Sequence, residues 1–235
     1  PSFSLSFIRA VAVTFKGAKK STSKTEFYLL TAANEDLRYR TTIFTIEGNP
    51  PKEHEFSSMD STIRSGNERI DISRISGVMR RFTELHLAAI CAKTADFVII
   101  DGLREPSFTS EKDYINELPA NVSSLSKTNQ LFTVSGNCAA AAFQEHGPAY
   151  PWQYNISEQN YCVKLHERSD HILRFQGTAE ILPYLLDQCT DPIFIGYPYG
   201  LIWADKLARV SKKEAEMLMA QLRFRLKGDF EKIKP

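Results

Sequence analysis

The spacing of the apolar residues changes near residue 72, and that change restricts the chain to a mixed fold. Before it, FSLSFIRAVAVTF (3–15) and TEFYLLTA (25–32) are rich in Phe, Val, Ile and Leu and flank the polar break KGAKKSTSK. Such a pattern reads as two strands of a hairpin. TTIFTIE (41–47) is a third strand, closed by Gly48-Asn49-Pro50-Pro51, and short strands or loops fit the polar stretch that follows. After the change, Ile75, Val78, Phe82, Leu85 and Ala89 fall on one stripe of a helix running from about Ile72 to about Lys93. DFVIIDG (96–102), a short apolar run with an acidic residue at each end, then reads as a buried strand.

The remainder alternates in the same way. Residues 110–126 read as helical with a break at Pro119, and NQLFTVSG (129–136) as a short strand. NCAAAAFQE (137–145) suits a helix, and GPAYPWQYN (147–155) a loop. YCVKLHE (161–167) and HILRFQG (171–177) resemble a second hairpin, and TAEILPYLLDQC (178–189) a helix that Pro183 delays. DPIFIGYP (191–198) is read as a last short strand, followed by two helices from about Tyr199 and Lys212. The order implies an α/β protein in which helices pack on a mixed sheet. We expect a single domain over 1–235, with a helical C-terminal extension at about 212–235.

Composition excludes several classes. The 235 residues carry a formal net charge of only +1, so any nucleic-acid surface has to be local. One local excess exists: from Lys206 to Lys234 there are nine Lys or Arg against four Asp or Glu. It fits a phosphate-facing surface or a solvated helix face equally well. Cys91, Cys138, Cys162 and Cys189 form no CxxC pair and stand near no suitably spaced His, which argues against a zinc module or a disulfide framework. No apolar run reaches the roughly 18 to 20 residues of a membrane span. A soluble cytoplasmic protein is expected.

Three carboxylates occupy unusual local positions. Glu84, in MRRFTELHLAAICA, lies about 160° round the helix from the apolar stripe. An i,i+4 ion pair with Arg80 accounts for it on a solvent face, but the second half of that helix is apolar on nearly every side. Asp101 ends FVIID and precedes Gly102, which is either an ordinary turn or a carboxylate at the carboxyl edge of a strand, where α/β sheets place ligands. Asp205 falls beside Leu201, Ala204 and Ala208 on the helical wheel, where a buried charge is costly. Carboxylates brought together in this way are hard oxygen donors suited to Mg²⁺ or Mn²⁺, the ions that clamp attacking and leaving oxygens in phosphodiester hydrolysis. Lys164 and Arg174, on the later hairpin, are candidates for phosphate contact, and His86, His166 and His171 for a further ligand. No Gly-rich phosphate loop or nucleophile elbow supports a small-molecule enzyme.

Three motifs, RRFTELHLAA with Glu84, DFVIIDGLREP with Asp101 seventeen residues later, and GYPYGLIWADKLARVS with Tyr197 and Asp205, occur in the order seen in the NurA nucleases. The chain resembles that family from about Met79 to Ser211, most specifically in the third motif and least around GNCAAAAFQEHGP. The resemblance implies an RNase H-like fold and a Mn²⁺-dependent (or Mg²⁺-dependent) nuclease. Its activity would be endonucleolytic and 5′-3′ exonucleolytic on single-stranded DNA and duplex ends, in recombination and repair. It also implies a homodimer and a HerA-type hexameric ATPase as partner. Carried over residue by residue, Glu84 and Asp101 match acidic metal ligands, Tyr197 matches the tyrosine of the Tyr-Pro motif, and Asp205 stands where the family has His. The family's first-strand Asp-Gly-Ser motif is absent. Either that segment lies outside this chain, or the protein is a diverged DNA-binding or assembly subunit with a depleted site.

Overall fold

In the computed structural model, which describes residues 3–17, 19–127 and 131–225, the first three strands form a meander. β1 (Phe3–Lys16), β2 (Lys19–Glu35) and β3 (Arg38–Glu47) pair antiparallel, and the short β4 (Glu55–Ser57) pairs with Arg38–Arg40 of β3. α1 (Arg74–Cys91) then packs on this sheet through Ile75, Val78, Met79, Phe82 and Leu85, all buried. Tyr28 locks the contact: its hydroxyl lies 2.7 Å from Thr83 Oγ1. Phe82 stacks on Tyr114 with centroids 4.8 Å apart and meets the His54 ring at 4.9 Å, making an aromatic centre beneath α1.

The expected mixed α/β architecture is present, with its strands divided between two sheets rather than one. The second sheet has the order β5-β6-β9-β8-β7, from β5 (Val98–Asp101), β6 (Val122–Ser126), β7 (Trp152–Ser157), β8 (Asn160–Lys164) and β9 (Leu173–Gln176). β5 and β6 are parallel and the other pairs antiparallel, so this sheet is mixed. Helices cover both faces. Val98 and Ile100 of β5 join the core under α1, which α2 (Glu111–Asn116) extends, whereas Phe97 and Ile99 join a second core with α4 (Leu182–Leu186) and α5 (Tyr199–Ala208). The chain continues into α6 (Lys212–Arg225), which Glu214 ties to Arg9 of β1.

Four local expectations are corrected. Helix does not continue to Ser126; α2 ends at Asn116 and VSSLS forms β6, a central strand buried throughout. Its serines conceal it from an apolar pattern, and they are small for a reason: a Cβ at Gly177 would stand 2.2 Å from Ser123 Oγ, with φ of Gly177 at +138°. DPIFIGYP is a turn, because the Asp191 carboxylate accepts the Ile193 backbone N–H at 2.8 Å and Cys189 O accepts that of Gly196 at 2.9 Å. Trp152–Asn155, read as loop, belong to β7, where Phe143 of α3 (Ala139–His146) meets the Trp152 and Tyr154 rings in tilted contacts at 5.0 Å. Within 129–136, residues 129 and 130 lie outside the described residues, and from 131 onward there is only a single bridge, Phe132 to Cys138.

Candidate active site

The carboxyl end of β5 brings Asp101 to an exposed position next to α1. Gly102 follows at φ +113°, a conformation that L side chains rarely adopt, and its N–H donates to Leu125 O at 2.9 Å, so the chain turns away immediately and leaves the Asp101 side chain at the edge. Glu84 approaches from α1. A third of its side chain is exposed, with Arg80 Nη1 at 3.5 Å and Arg81 Nη1 at 3.8 Å from its oxygens. Burial around the carboxyl raises the Glu84 pKa above the ordinary value of 4.5; the two arginines oppose the rise, and the negative charges of Asp101 and Glu111 add to it. The Asp101 charge thus reaches the Glu84 carboxyl across the corner between β5 and α1.

Arg81 organises this corner. Its Nε donates to the fully buried Glu111 Oε1 at 2.7 Å, and its Nη2 donates to Leu103 O just past the Asp101-Gly102 turn. The other Glu111 oxygen accepts the backbone N–H groups of Ser107 at 2.7 Å and Phe108 at 3.2 Å. Neither Arg81 nor Glu111 stood out in the sequence, since a buried ion pair between residues 30 apart leaves no periodic trace.

Tyr197 closes the other side. The turn at Gly196 (φ +83°) buries it to 3% exposure. Burial raises the pKa of its hydroxyl, and the charge of Asp101, a hydrogen-bonding contribution from the same carboxylate and then the charge of Asp205 add to the rise. The Asp101 carboxylate is the acceptor this hydroxyl faces, at a geometry short of a full hydrogen bond. Lys127 Nζ sits 3.9 Å from the Tyr197 ring centroid, a cation–π contact. Lys127 is a further site residue. It follows β6 directly, so the rule that ligands gather at the carboxyl ends of parallel strands points to it as it does to Asp101.

Asp205 is not buried among small residues as the wheel suggested. It is exposed on α5 and forms an i,i+4 pair with Arg209, Oδ2 to Nη2 at 2.6 Å. Among the described residues no group of three or more His, Cys, Asp or Glu is placed to hold a metal ion. Glu84 and Asp101 are two carboxylates within electrostatic reach of each other, while Asp205 is engaged with Arg209. Arg174 pairs with Glu105 and is mostly buried, while Lys164 lines a shallow cleft of about 260 Å³ with Phe143 and Asp170. His86 meets Asn49 O at 3.0 Å, and His166 Nδ1 accepts the Arg168 N–H at 3.1 Å, so both are occupied away from the carboxylates.

Two predictions arise here. Because the folded-state pKa of Glu84 is raised, its contribution to stability is fully present below the unfolded value near 4.5 and is lost as pH rises through the folded value. Thermal melts of Glu84→Gln should accordingly match or exceed the parent at pH 7, with the parent's relative deficit disappearing at pH 4. A parent that gains relative to the variant on going from pH 4 to pH 7 would reverse the assigned sign. In Gly196→Ala the new Cβ would lie 2.1 Å from Ser169 Oγ at a positive φ. A loss of more than ~1 kcal/mol is expected, read as a fall in Tm of several degrees.

The fold is similar to that of human ENDOV, with TM-score 0.38 and 14% sequence identity over 87% of this chain and 83% of that one. It is also similar to A. aeolicus Argonaute, with TM-score 0.29 and 12% identity over 86% of this chain and 28% of that one. No family model matches the chain, and no curated protein does. At these scores the likeness assigns no residue and no activity, and the site stands on its own geometry. No helix of the described residues is long and apolar enough to cross a membrane.

Proposed function

We propose that this chain is a divalent-metal-dependent nuclease of RNase H-like fold, acting on DNA ends in the manner of the NurA nucleases it resembles. The observation that carries the reading is the approach of Glu84 to Asp101 at the carboxyl edge of β5, beside the buried Tyr197 hydroxyl that faces the Asp101 carboxylate. Glu84 and Asp101 would hold Mn²⁺ or Mg²⁺, joined by Asp205 on release from Arg209. When bound there, such an ion would supply an activated water and charge neutralisation at the phosphodiester. Tyr197 donates a hydrogen bond to a phosphate oxygen and orients it, since its raised pKa keeps the hydroxyl protonated at neutral pH. Lys127 supplies a positive charge for the same phosphate or its neighbour. A homodimer and a HerA-type ATPase partner complete the proposal.

A second reading, a DNA-binding or assembly subunit with a depleted site, is favoured by one observation: Asp205 is held by Arg209, and no third acidic donor joins Glu84 and Asp101 among the described residues. End-labelled single-stranded DNA with Mn²⁺ separates the two. The nuclease reading expects cleavage that falls at least about tenfold in Lys127→Ala, the size of one lost phosphate contact of ~1.4 kcal/mol. Retained DNA binding with no cleavage in Mn²⁺ or Mg²⁺ would establish the second.

A further inference from the structure

We propose that the donors gathered round Arg174 form a subsite for a backbone phosphate of single-stranded DNA, and that Glu105 fills it in the free protein as a displaceable stand-in for that phosphate. The inference rests on DNA binding, as a nuclease or as a DNA-binding subunit, and holds whether or not the chain cleaves. Arg174 Nη2 and Nη1 both donate to the Glu105 carboxylate, the second at 3.4 Å, and Gln176 Nε2 donates to Glu105 Oε1 at 3.2 Å. A guanidinium fork with an amide beside it is a donor set that grips a carboxylate or a phosphate in the same bidentate way.

The cradle is fixed and its occupant is not. Arg174 lies on β9, paired with Ser126 of β6 on one side and Cys162 of β8 on the other, and only 14% of its side chain is exposed. Gln176 is held in one orientation. Its Oε1 accepts the Arg104 backbone N–H at 2.7 Å and the Ser124 hydroxyl at 3.3 Å, which leaves Nε2 to face Glu105 and Asn160. Glu105, by contrast, stands on the loop between β5 and α2 with 55% of its side chain exposed. Arg81 holds that loop at Leu103 O and Glu111 holds it at the Ser107 N–H, so the Glu105 side chain can swing out without loosening its backbone. An ion pair with one partner this exposed is weak and screened by salt. One donor is left over: Arg174 Nε is buried and has no hydrogen-bond partner among the described residues. A phosphate group is larger than a carboxylate and brings oxygens beyond the two that Glu105 offers.

The position of the cradle suits the same substrate strand. Arg174 is paired with Ser126, which precedes Lys127, and Leu125, on the other flank of Ser126, is paired with Asp101. Glu105 follows Asp101 by four residues, and four residues extend to at most about 14 Å. Stacked DNA carries a phosphate about every 3.4 Å along each strand, so a strand held at Glu84 and Asp101 presents a phosphate to Arg174 within about four nucleotides.

The test is the affinity for a fluorescent single-stranded oligonucleotide of about 12 nucleotides, measured without divalent metal so that binding is read apart from cleavage. In the parent, only molecules with Glu105 swung out can bind through the cradle, and Glu105→Gln removes that restriction, so Kd should fall at least about fivefold. Kd should not fall in Glu68→Gln, which makes the same charge change at an exposed residue outside the cradle, and it should return to the parent value or above in Glu105→Gln/Arg174→Gln. No tightening in Glu105→Gln, equal tightening in Glu68→Gln, a gain that survives the loss of Arg174, or no DNA binding by any of these proteins would each overturn the proposal. NMR provides a readout that does not depend on the double variant folding. The Arg174 Nε–H resonance of the parent should shift on saturation with the oligonucleotide, and an unmoved resonance would also overturn the proposal. Inorganic phosphate at the same phosphate concentration should leave that resonance in place; a shift of equal size would assign the cradle to free anions instead of DNA. Tight, Arg174-dependent binding by Glu105→Gln with no cleavage in Mn²⁺ would sink the nuclease reading alone and leave the phosphate subsite standing.

Discussion

Asp101→Asn is expected to lower Mn²⁺-dependent cleavage of single-stranded DNA by about 10³-fold or more, a loss of roughly 4 kcal/mol in transition-state stabilisation, while leaving Tm within about a degree of the parent. Both halves of the prediction come from the same placement. Asp101 is exposed at the end of β5, and Asn keeps its shape and an acceptor oxygen toward the Tyr197 hydroxyl, so the substitution costs little, as for surface positions generally. Burial is the main cause of the raised pKa of both Glu84 and Tyr197, and the Asp101 carboxylate adds to each rise. Without it the remaining carboxylate has no partner with which to share a cation. Full cleavage in Asp101→Asn would remove the site from β5 altogether.

Glu111→Ala is expected to destabilise the protein by about 3–5 kcal/mol, the range found when one partner of a buried ion pair is removed, and to lower Tm by roughly 6–20 °C. Glu111 is fully buried, and its two oxygens hold Arg81 together with the N–H groups of Ser107 and Phe108. Truncation leaves a mostly buried guanidinium and two backbone donors without their acceptor. The double variant Arg81→Ala/Glu111→Ala should then be less destabilised than the sum of the two single changes, because the uncompensated charge is gone. Strict additivity would show that the two side chains do not act as a unit. Arg81 also holds Leu103 O, so the same change should loosen the Asp101-Gly102 turn and reduce cleavage beyond what the loss of folded protein explains.

What could be read in the sequence follows from where each signal resides. Elements with a strong period were legible: α1 was expected over about Ile72–Lys93 and spans Arg74–Cys91, and the opening meander matched its alternation. β6 was not, because a central strand of serines between β5 and β9 carries no apolar pattern, and its burial is set by Gly177 pressing against Ser123. The partition into two sheets was likewise hidden, since nothing local marks β1 and β5 as the two strands that fail to pair. In the site, the turn at Asp101 was readable because Asp-Gly favours one, whereas the turn that places Tyr197 lies within DPIFIGYP, which reads as a strand. The environment of Asp205 was not readable either, because a helical wheel gives the face of a helix and not what covers it. Arg81, Glu111 and Lys127 are brought to the site by tertiary packing alone.

The most direct test of the account is a calorimetric titration of Mn²⁺ into the protein, alongside Glu84→Gln and Asp101→Asn. The account predicts stoichiometric binding to the parent, weakened at least about tenfold, or ~1.4 kcal/mol, by either substitution, with no further loss when the two are combined because both remove the same site. Mn²⁺ binding of undiminished affinity in the double variant would contradict it.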